Sequence, residues 1–403
     1  MAQQDLDTLT GASYFGVEST FGTTPSMTRI FPRVGGTLTA QQTIIPTTTL
    51  QEKLVKRDKS KRGYRSCGVQ VTCDAFIDGT RLTSAGSAST TWLGAMLKAV
   101  LGGESAAAGS TIAAGSSASS IVAASGHGAR FPVGQVFLCD VGDVPEVMIA
   151  KAVSTDTITP LHHASASLTT GQDLINCHCY YLTNTNAQSA TFQHALGADS
   201  SHQWTLNGLT GGMSVDLSRD ANLAYTFDLT GANFTGPSAQ SISVAAGTNS
   251  LVGPVPNVGA VCLLQSLSTT TRVHYPLSSV SLTIEPGNSH VRELGGSTQG
   301  VVGVMRNAMP SVTAQVTVRS DLDQYTAWDS DTDYVLVYAI PVGSGATKRW
   351  TGFVLYCNIE PRPSRGNEDG AERTQLTLRG RHNTMQSAVT TDLALSPLVI
   401  FEG

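Results

Sequence analysis

Apolar and polar residues alternate with a period of two along much of this chain. In the run SVSLTIE, Val280, Leu282 and Ile284 alternate with serine and threonine, and the run SVTAQVTVR repeats the pattern at 311–319. Such alternation predicts strands that bury one face and leave a polar, mostly uncharged face outside. Comparable runs predict strands at GVQVTCDAF, SATFQHAL, MSVDLS, NLAYTFDL, VCLLQSL, YVLVYAIPV, WTGFVLYCNIE and RTQLTLR. The pattern therefore predicts an all-β dominated fold of antiparallel sheets.

Two segments have a helical pattern instead. In the run TTWLGAMLKAVL the apolar residues recur at helical spacing, which predicts a helix over 90–101 with Ser89 or Thr90 as its N-cap and Gly102 after its last turn. The run SDLDQYTAW predicts a second short helix. Ser320 can cap it, and two aspartates fall in its first turn, where the helix dipole favours anions. We expect two short helices to flank the sheets.

Positive charge is concentrated in one short segment. The run QEKLVKRDKSKRGYR holds seven basic and two acidic residues, so its formal charge is +5, and the rest of the chain, whose total is −5, carries −10. We expect a loop over 48–66 that docks on an acidic surface of another copy. The alternatives are a solvated hairpin tip and a nucleic-acid patch, which needs stacking aromatics where this segment offers Tyr64 alone. The basic residues are Lys53, Lys56, Arg57, Lys59, Lys61, Arg62 and Arg65.

The remaining composition limits the class of protein. Charged residues make up 14% of the 403 residues, against roughly a quarter in an average soluble domain, so we expect neighbouring copies to cover much of the surface. The chain does not start with the basic segment and apolar core of a secretory signal peptide. It has no run of about twenty apolar residues that would form a transmembrane helix. We therefore expect cytoplasmic synthesis and no membrane segment.

No combination of residues points to catalysis, so we expect a protein that is not an enzyme and binds no cofactor. The sequence has no phosphate loop, dinucleotide fingerprint or GxSxG motif. His162 and His163 would point to opposite faces of a strand, which is typical of surface histidines rather than metal ligands. Cys177, His178 and Cys179 lack a second ligand pair at zinc spacing. The run GNEDG lacks the alternating oxygen ligands of a calcium loop and favours a hairpin turn.

The seven cysteines are scattered along the chain and odd in number, which argues against a disulfide scaffold. They predict reduced, packed thiols, with cross-links between copies as the alternative.

Changes in composition divide the chain into units. The first segment is polar and glycine-bearing with little periodicity, which predicts an arm that lies on another surface. The apolar final run LALSPLVIFEG is expected to pack on a neighbouring copy or to fold back. The predicted units are an N-terminal arm (1–28), the first part of a main module (29–114), an inserted small β-barrel-like domain (115–183), the second part of the main module (184–383) and a C-terminal arm (384–403).

The order of these elements resembles a known family. SVSLTIEPG, PSVTAQVTV, a short helix, WTGFVLYCNIEPRP and GAERTQLTLRGR follow one another as in the tail tube (major tail) proteins of long-tailed double-stranded DNA bacteriophages. YFGVESTFGTTPS is similar to that family's opening segment, and LTGGMSVDLSRDANLAYTFDLTG resembles its central hairpin. The resemblance covers most of the chain. It implies an antiparallel β-sandwich that closes into hexameric rings, which stack into a hollow tube for genome passage.

The resemblance also implies partners and roles for particular residues. We expect a homo-hexamer that stacks into a helical tube in the virion tail, beside a tape-measure protein and tail terminator or distal tail proteins. Double-stranded DNA should pass through without specific binding. Because proteins bind DNA mainly by neutralising phosphates with Lys and Arg, the wall should be uncharged or acidic, and the basic loop should make the contacts between rings. The lumen-lining candidates are Thr72, Asp74, Asp78, Asp216, Thr226 and Asp228.

The insert helps to choose between tail types. A contractile tail surrounds its tube with a sheath and leaves little room outside it, so a bulky insert favours a non-contractile (siphophage) tail. One alternative is a tube subunit of a contractile tail or secretion machine, which is usually a shorter chain without such an insert. Another is a secreted or surface β-sandwich binding module, for which the missing signal peptide is the discriminating feature.

Overall fold

The chain folds almost entirely into antiparallel strands. The structure is a computed structural model that describes residues 3–5, 11–33, 36–45, 61–75, 77, 82–83, 86, 91–141, 144–183, 188–195, 202–217, 221–239, 241–242, 259–272, 274, 277–292, 301–319, 328–343, 348–360, 362–368, 371–382 and 391–403. Of the described residues, 61% lie in strands and 7% in helices, which confirms the prediction of an all-β dominated fold.

The elements are numbered in chain order. The strands of the first half are β1 (Gln3–Asp5), β2 (Ala12–Val17), β3 (Thr28–Ile30), β4 (Thr37–Ile45), β5 (Lys61–Asp74), β6 (Gly102–Ser105), β7 (Ser110–Thr111), β8 (Ile121–Val122), β9 (Val136–Val141), β10 (Val144–Ser154), β11 (Thr157–Pro160), β12 (Asp173–Asn176), β13 (His178–Leu182) and β14 (Ala190–Ala195). Those of the second half are β15 (Gln203–Leu217), β16 (Ala224–Gly231), β17 (Asn233–Ser238), β18 (Val261–Ser266), β19 (Leu277–Glu285), β20 (Asn288–Arg292), β21 (Val301–Arg306), β22 (Ser311–Arg319), β23 (Tyr334–Val342), β24 (Arg349–Ile359), β25 (Ser364–Glu368), β26 (Ala371–Gly380) and β27 (Leu398–Glu402). The helices are α1 (Trp92–Leu101), a 3-10 turn (Gly128–Arg130) and α2 (Asp392–Leu395).

The front sheet has the order β4, β5, β16, β15, β19, β22, β26, with β1 on the outer edge of β4 and β25 on that of β26. Its centre is the predicted hairpin of β15 and β16, in which Asp216 lies opposite Ala224 and Thr210 opposite Thr230. Tyr225, Phe227 and the other inward residues are buried, as their alternation with polar residues predicts. Each strand therefore presents one apolar and one polar face.

The middle sheet has the order β18, β23, β24, β27, β13, β6. It joins the front sheet at a corner, where Cys357 and Ile359 near the end of β24 pair with β26. Both faces of β23 and β24 are buried, because alternate residues belong to different apolar cores. This is why YVLVYAI and WTGFVLYCNI are nearly continuous apolar runs rather than alternating ones.

A smaller side sheet has the order β3, β2, β14, β15, β17 and uses the first half of β15. Helix α1 packs against β2, β13 and β15, and all of its residues except Lys98 are buried. Its N-cap is Thr91, whose hydroxyl accepts a hydrogen bond from the Gly94 amide at 2.8 Å. The predicted caps Ser89 and Thr90 are therefore wrong, since the helix starts at Trp92. Gly102 ends it in the left-handed conformation, as predicted.

The insert forms a small barrel of six described strands in the order β7, β12, β9, β10, β11, β8. A bridge between Ile112 and Ala123 joins the first strand to the last, and the Ala113 amide donates to the Val122 carbonyl at 2.7 Å. The barrel runs from Ser110 to Asn176, so the predicted bounds 115–183 are shifted. β13 belongs to the middle sheet because it pairs with β6 and β27.

Apolar residues of the described part form three clusters that stack the layers. The largest fills the space between the front sheet, the middle sheet and α1. The second lies between the outer face of the middle sheet and the barrel, where Val335, Trp350 and Phe401 meet Val136 and Leu138. The third fills the barrel itself. The order of layers is therefore front sheet, middle sheet, barrel, and the first two form the predicted sandwich.

Described parts of both predicted arms are strands that pair within the chain. Residues 12–17 form β2, which pairs along its whole length with β14, so this part of the N-terminal segment lies on its own chain. The C-terminal run folds back as β27 between β13 and β24, which is one of the two expected outcomes.

The predicted second helix falls largely on 320–327, outside the described residues. Among the described residues, no helix is long and apolar enough to cross a membrane.

Candidate functional site

The outer side of the front sheet is a continuous polar surface, which we call the polar face. It consists of the outward residues of β5, β16, β15, β19, β22 and β26. Strand register places Thr72, Thr226, Ser214, Thr283 and Thr313 side by side in one row across five of these strands. Every member of that row carries a hydroxyl group and no charge.

A second row lies one step along the same strands. Asp216, Ser281, Gln315 and Thr377 stand opposite one another in register. The Ser281 hydroxyl donates to Asp216 Oδ1 at 2.9 Å, and in the first row the hydroxyls of Thr72 and Thr226 are 3.0 Å apart. Hydrogen bonds between side chains thus connect neighbouring strands of the polar face, and such cross-strand pairs stabilise a sheet.

The buried side of the same strands fixes which residues face outward. The buried row beside them consists of Cys73, Tyr225, Val215, Leu282 and Ala314, which stand opposite one another in register and are each at most 2% exposed. A slip of one residue would turn these side chains to water and bury the hydroxyl rows. The apolar core therefore determines the chemistry of the polar face.

Most charge on the polar face lies outside the hydroxyl row. Asp74 at the end of β5 accepts a hydrogen bond from Arg33 Nε at 2.7 Å, and this bond raises the pKa of the arginine. Asp216 and Asp228 are exposed. Arginines occupy outward positions of β22 and β26, and one of them, Arg379, lies 3.7 Å from Glu360. Where β5 pairs with β16, and from there across to β19, the outward residues are thus neutral or acidic, whereas the arginines of β22 and β26 lie at the other side of the sheet.

Most of the predicted lumen-lining residues are part of the polar face. Thr72, Asp74, Asp216 and Thr226 lie on the polar face, as does Asp228, and the structure brings them together on adjacent strands. Asp78 lies outside the described residues. The Ser, Thr and Gln residues of β19 and β22 belong to the same surface. Their alternation is visible in the sequence, but their alignment with β15 depends on strand order.

Only the last part of the predicted basic loop belongs to the described residues, and it lies in a two-stranded ribbon of β4 and β5. β4 and β5 stay paired as far as Ile45 and Lys61, whereas the pairing of β16 with β5 ends at Cys67. The ribbon of β4 and β5 therefore extends beyond the front sheet. Lys53, Lys56, Arg57 and Lys59 lie outside the described residues, and Lys61 and Arg62 begin β5.

Arg65 makes a contact within its own chain. Its guanidinium group lies over the ring of Phe234 at 5.2 Å and donates to the Phe234 carbonyl at 3.0 Å. This contact attaches β5 to β17, so Arg65 is engaged inside the subunit rather than presented to another copy.

Glu18 organises the segment that follows β2, and sequence reasoning missed it. The carboxylate is 8% exposed and accepts four hydrogen bonds. Oε2 accepts from the Gly22 amide at 2.7 Å and from the Ser189 hydroxyl at 2.6 Å. Oε1 accepts from the Thr191 hydroxyl at 2.7 Å and from the Gly208 amide at 2.8 Å. These bonds tie the N-terminal segment to β14 and β15. Gly22, with φ of 72°, supplies the turn.

The first of the two adjacent histidines differs from the prediction. His162 is 4% exposed and lies between the barrel and the loop that carries Arg272, so its expected surface position is wrong. Burial, and then the positive charges of Arg272 and Lys151, lower the pKa of His162 to about 4. Arg272 forms an ion pair with Glu146 at 3.1 Å and donates to the Val147 carbonyl at 2.7 Å. Charged groups therefore join the barrel to the main module.

All seven cysteines are buried and unpaired, which confirms the prediction of packed thiols. Burial raises the pKa of Cys139 and Cys179 to about 12, so these thiols stay protonated near neutral pH. In the described chain no group of three or more His, Cys, Asp or Glu residues is arranged to hold a metal ion.

Two serine–histidine pairs have structural roles. Ser110 Oγ lies 3.0 Å from His127 Nδ1 and also accepts from the Ala124 amide, where the barrel closes. Ser13 Oγ lies 2.9 Å from His194 Nδ1 between β2 and β14. Both serines are buried, at 0% and 4% exposure, so neither hydroxyl is available to an external substrate. β25 and β26 pair with each other as far as Glu368 and Ala371.

The fold and the polar face define a layered, antiparallel β protein with a wide hydroxyl-rich surface on one side and a docked barrel on the other. A comparison with protein-family models finds no match to this chain, and a comparison with curated proteins finds no significant match either.

Proposed function

We propose that the chain is the structural subunit of a bacteriophage tail tube of the non-contractile type. Copies close into a hexameric ring, and the rings stack into a hollow tube through which the genome passes. The observation that carries the proposal is the polar face, which is continuous across six antiparallel strands and backed throughout by an apolar core.

The chemistry of the polar face suits a wall along which DNA slides. Proteins bind DNA chiefly by neutralising its phosphates with Lys and Arg. The row from Thr72 to Thr313 offers hydroxyl groups instead, and Asp216 and Asp228 repel phosphates. Arginines at the β26 end are partly balanced by Glu360. Double-stranded DNA would pass such a surface without specific binding.

The order of layers supports an outward position for the insert. Since the middle sheet separates the front sheet from the barrel, a subunit that turns its polar face to the lumen turns the barrel to the outside. A barrel on the outer surface occupies the space that a contractile sheath would need. This favours the non-contractile tail over the tube of a contractile tail or secretion machine.

Ring formation also accounts for the edges of the front sheet. Short strands, β1 and β25, partly cover its two lateral edges. Pairing with sister copies would complete these edges, which otherwise favour uncontrolled aggregation. The basic ribbon of β4 and β5 extends beyond the sheet and would contact the next ring. In the virion tail, the tape-measure protein and the tail terminator or distal tail proteins would be its other partners.

Electron microscopy of the purified protein tests the proposal directly. Negatively stained, concentrated protein should show annular particles and hollow filaments of uniform width. A protein that stays monomeric at every concentration, with neither rings nor filaments in micrographs, would refute it. Replacing Lys56, Arg57, Lys59, Lys61 and Arg62 by Ala should leave a folded subunit that forms rings but fails to stack them.

A further inference from the structure

The dipeptide Asn207–Gly208 lies in the first half of β15 and is chemically reactive. Asn207 is the single asparagine of the chain that is followed by glycine. In such a pair the amide nitrogen of the glycine can attack the side-chain carbonyl carbon of the asparagine, because glycine has no Cβ to obstruct the approach. The reaction expels ammonia and converts the asparagine into an acid, which is one reason why asparagine is a thermolabile residue.

The segment that follows β2 holds both reacting groups. The Glu18 carboxylate accepts the Gly208 N–H at 2.8 Å in a buried hydrogen bond, so the attacking nitrogen is engaged. Asn207 Nδ2 donates to the Gly22 carbonyl at 3.0 Å and to the Thr24 hydroxyl at 3.4 Å. The side chain that would be attacked is therefore fixed as well.

The ring of Phe21 covers the same place. A Cβ atom added to Gly208 would lie 2.9 Å from two carbon atoms of this ring and 3.0 Å from the Ala232 Cβ, so the ring is packed directly on the backbone. These contacts come from residues 18–24, a stretch of turn and irregular backbone between β2 and β3. Such stretches open locally at a lower free-energy cost than the strands of a core.

We propose that Asn207 is a deamidation site that residues 18–24 protect, and that its reaction makes release of this segment irreversible. When the segment leaves, solvent base removes the proton of the freed Gly208 N–H, and the nitrogen attacks Asn207 Cγ. The new C–N bond closes a succinimide ring, while the side-chain nitrogen takes up a proton from water and departs as ammonia. Water then opens the ring at one of its carbonyl groups, which leaves aspartate or isoaspartate.

Either product prevents the segment from returning. Glu18 accepts the Gly22 N–H, and Asn207 donates to the Gly22 carbonyl. A carboxylate at position 207 has no N–H for that carbonyl, and it places a second negative charge beside Gly22. Isoaspartate also lengthens the backbone of β15 by one carbon atom, where residue 207 pairs with Asn233 of β17. The inference concerns a single subunit and does not depend on the proposed function.

Peptide mass spectrometry of the folded chain, incubated in mildly alkaline buffer, tests the site. Asn207 of the parent should deamidate at least about tenfold more slowly than in the same chain unfolded by urea. Glu18→Gln takes an acceptor from a buried amide, and Phe21→Ala uncovers Gly208. Each should speed the reaction of the folded chain by about tenfold, because a lost buried contact raises the population of the released segment.

Phe401→Ala is the matched control. It removes a fully buried ring from the core beneath the barrel and so destabilises the subunit away from the segment. It should deamidate at the rate of the parent, and equal acceleration would show that the reaction requires global unfolding and that the proposal is wrong. A folded parent that reacts as fast as the unfolded chain would also overturn it. Circular dichroism checks folding, and Phe21→Ala alone decides if Glu18→Gln does not fold.

Asn207→Asp tests the irreversible release, since it supplies one product directly. Hydrogen exchange of residues 18–24 should be at least about tenfold faster in this variant than in the parent. Asn233→Asp adds the same charge directly opposite position 207, where its side chain accepts from the Phe234 amide at 2.9 Å, and it should exchange like the parent. If Asn207→Asp exchanges as slowly as the parent, the release is reversible and this part of the inference fails.

Discussion

Replacement of Glu18 by Gln tests whether one buried carboxylate holds the N-terminal segment on its own subunit. Each carboxylate oxygen accepts one backbone amide and one hydroxyl. The hydroxyls of Ser189 and Thr191 can rotate to accept from a glutamine amide, but a backbone N–H cannot. Whichever way the glutamine turns, its NH2 group faces the amide of Gly22 or of Gly208.

The magnitude follows from these partners. One buried amide without an acceptor costs about 1–3 kcal/mol, and the loss of charge on the remaining bonds costs about 1 kcal/mol more. We therefore expect Glu18→Gln to lower the free energy of unfolding by about 2–4 kcal/mol, and Glu18→Ala by at least as much. Glu104→Gln is the control: it removes a partly exposed pair with Lys98 at 2.8 Å and should cost less than about 1 kcal/mol.

Urea unfolding of the subunit, followed by circular dichroism, measures these differences. The reasoning predicts that glutamine, although similar in shape to glutamate, is nearly as damaging as alanine at this position. A Glu18→Gln variant whose stability lies within about 0.5 kcal/mol of the parent would show that the four-donor site is not what holds the segment.

Three further predictions concern other parts of the molecule. His162 has a folded-state pKa of about 4, below its unfolded value of about 6.5. Because the unfolded chain therefore takes up the proton at a higher pH than the folded chain, the free energy of unfolding should fall by about 2 kcal/mol from pH 7 to pH 5. His162→Gln should flatten this dependence in urea unfolding at the two pH values, and an unchanged slope would contradict it. Phe401→Ala removes a fully buried ring and should cost about 3–5 kcal/mol; Val302→Ala, which is exposed, should cost less than about 0.5 kcal/mol. We expect the parent chain to bind DNA negligibly and the double variant Thr226→Lys, Thr283→Lys to bind it salt-dependently, with a slope near −0.9 per phosphate contact. Fluorescence anisotropy measures this binding, and equally strong binding by the parent chain would disprove an inert wall.

Much of the fold could be predicted because its strands bury one face only. β5, β16, β19 and β22 alternate clearly, since one side meets the core and the other meets water. β20 and β21 were missed because most of their residues are only partly buried, so no regular alternation of apolar and polar residues results. β13 was assigned to the insert because CHCYYL is apolar on both sides, and only its pairing with β27 shows where it belongs.

The functional surfaces were predictable to different degrees. The residues of the polar face follow from alternation, whereas their alignment into rows depends on strand order and register. Glu18 could not be identified beforehand, because its importance comes from groups far away in sequence: Gly208 lies 190 residues from Glu18. The C-terminal run was correctly expected to be covered, but its apolar pattern does not distinguish its own chain from a neighbour.

The shared core of the barrel and the middle sheet limits how this protein can be shortened. Val335, Val337, Trp350 and Phe401 all face Val136 and its neighbours across that contact, and the Trp350 indole donates to the Pro145 carbonyl at 3.0 Å. A shortened subunit without the barrel would expose this apolar face of the middle sheet to solvent and would aggregate. A fusion for cargo display should therefore either keep the barrel and insert the cargo into its loops far from the middle sheet, or replace the uncovered apolar residues of that sheet by polar ones.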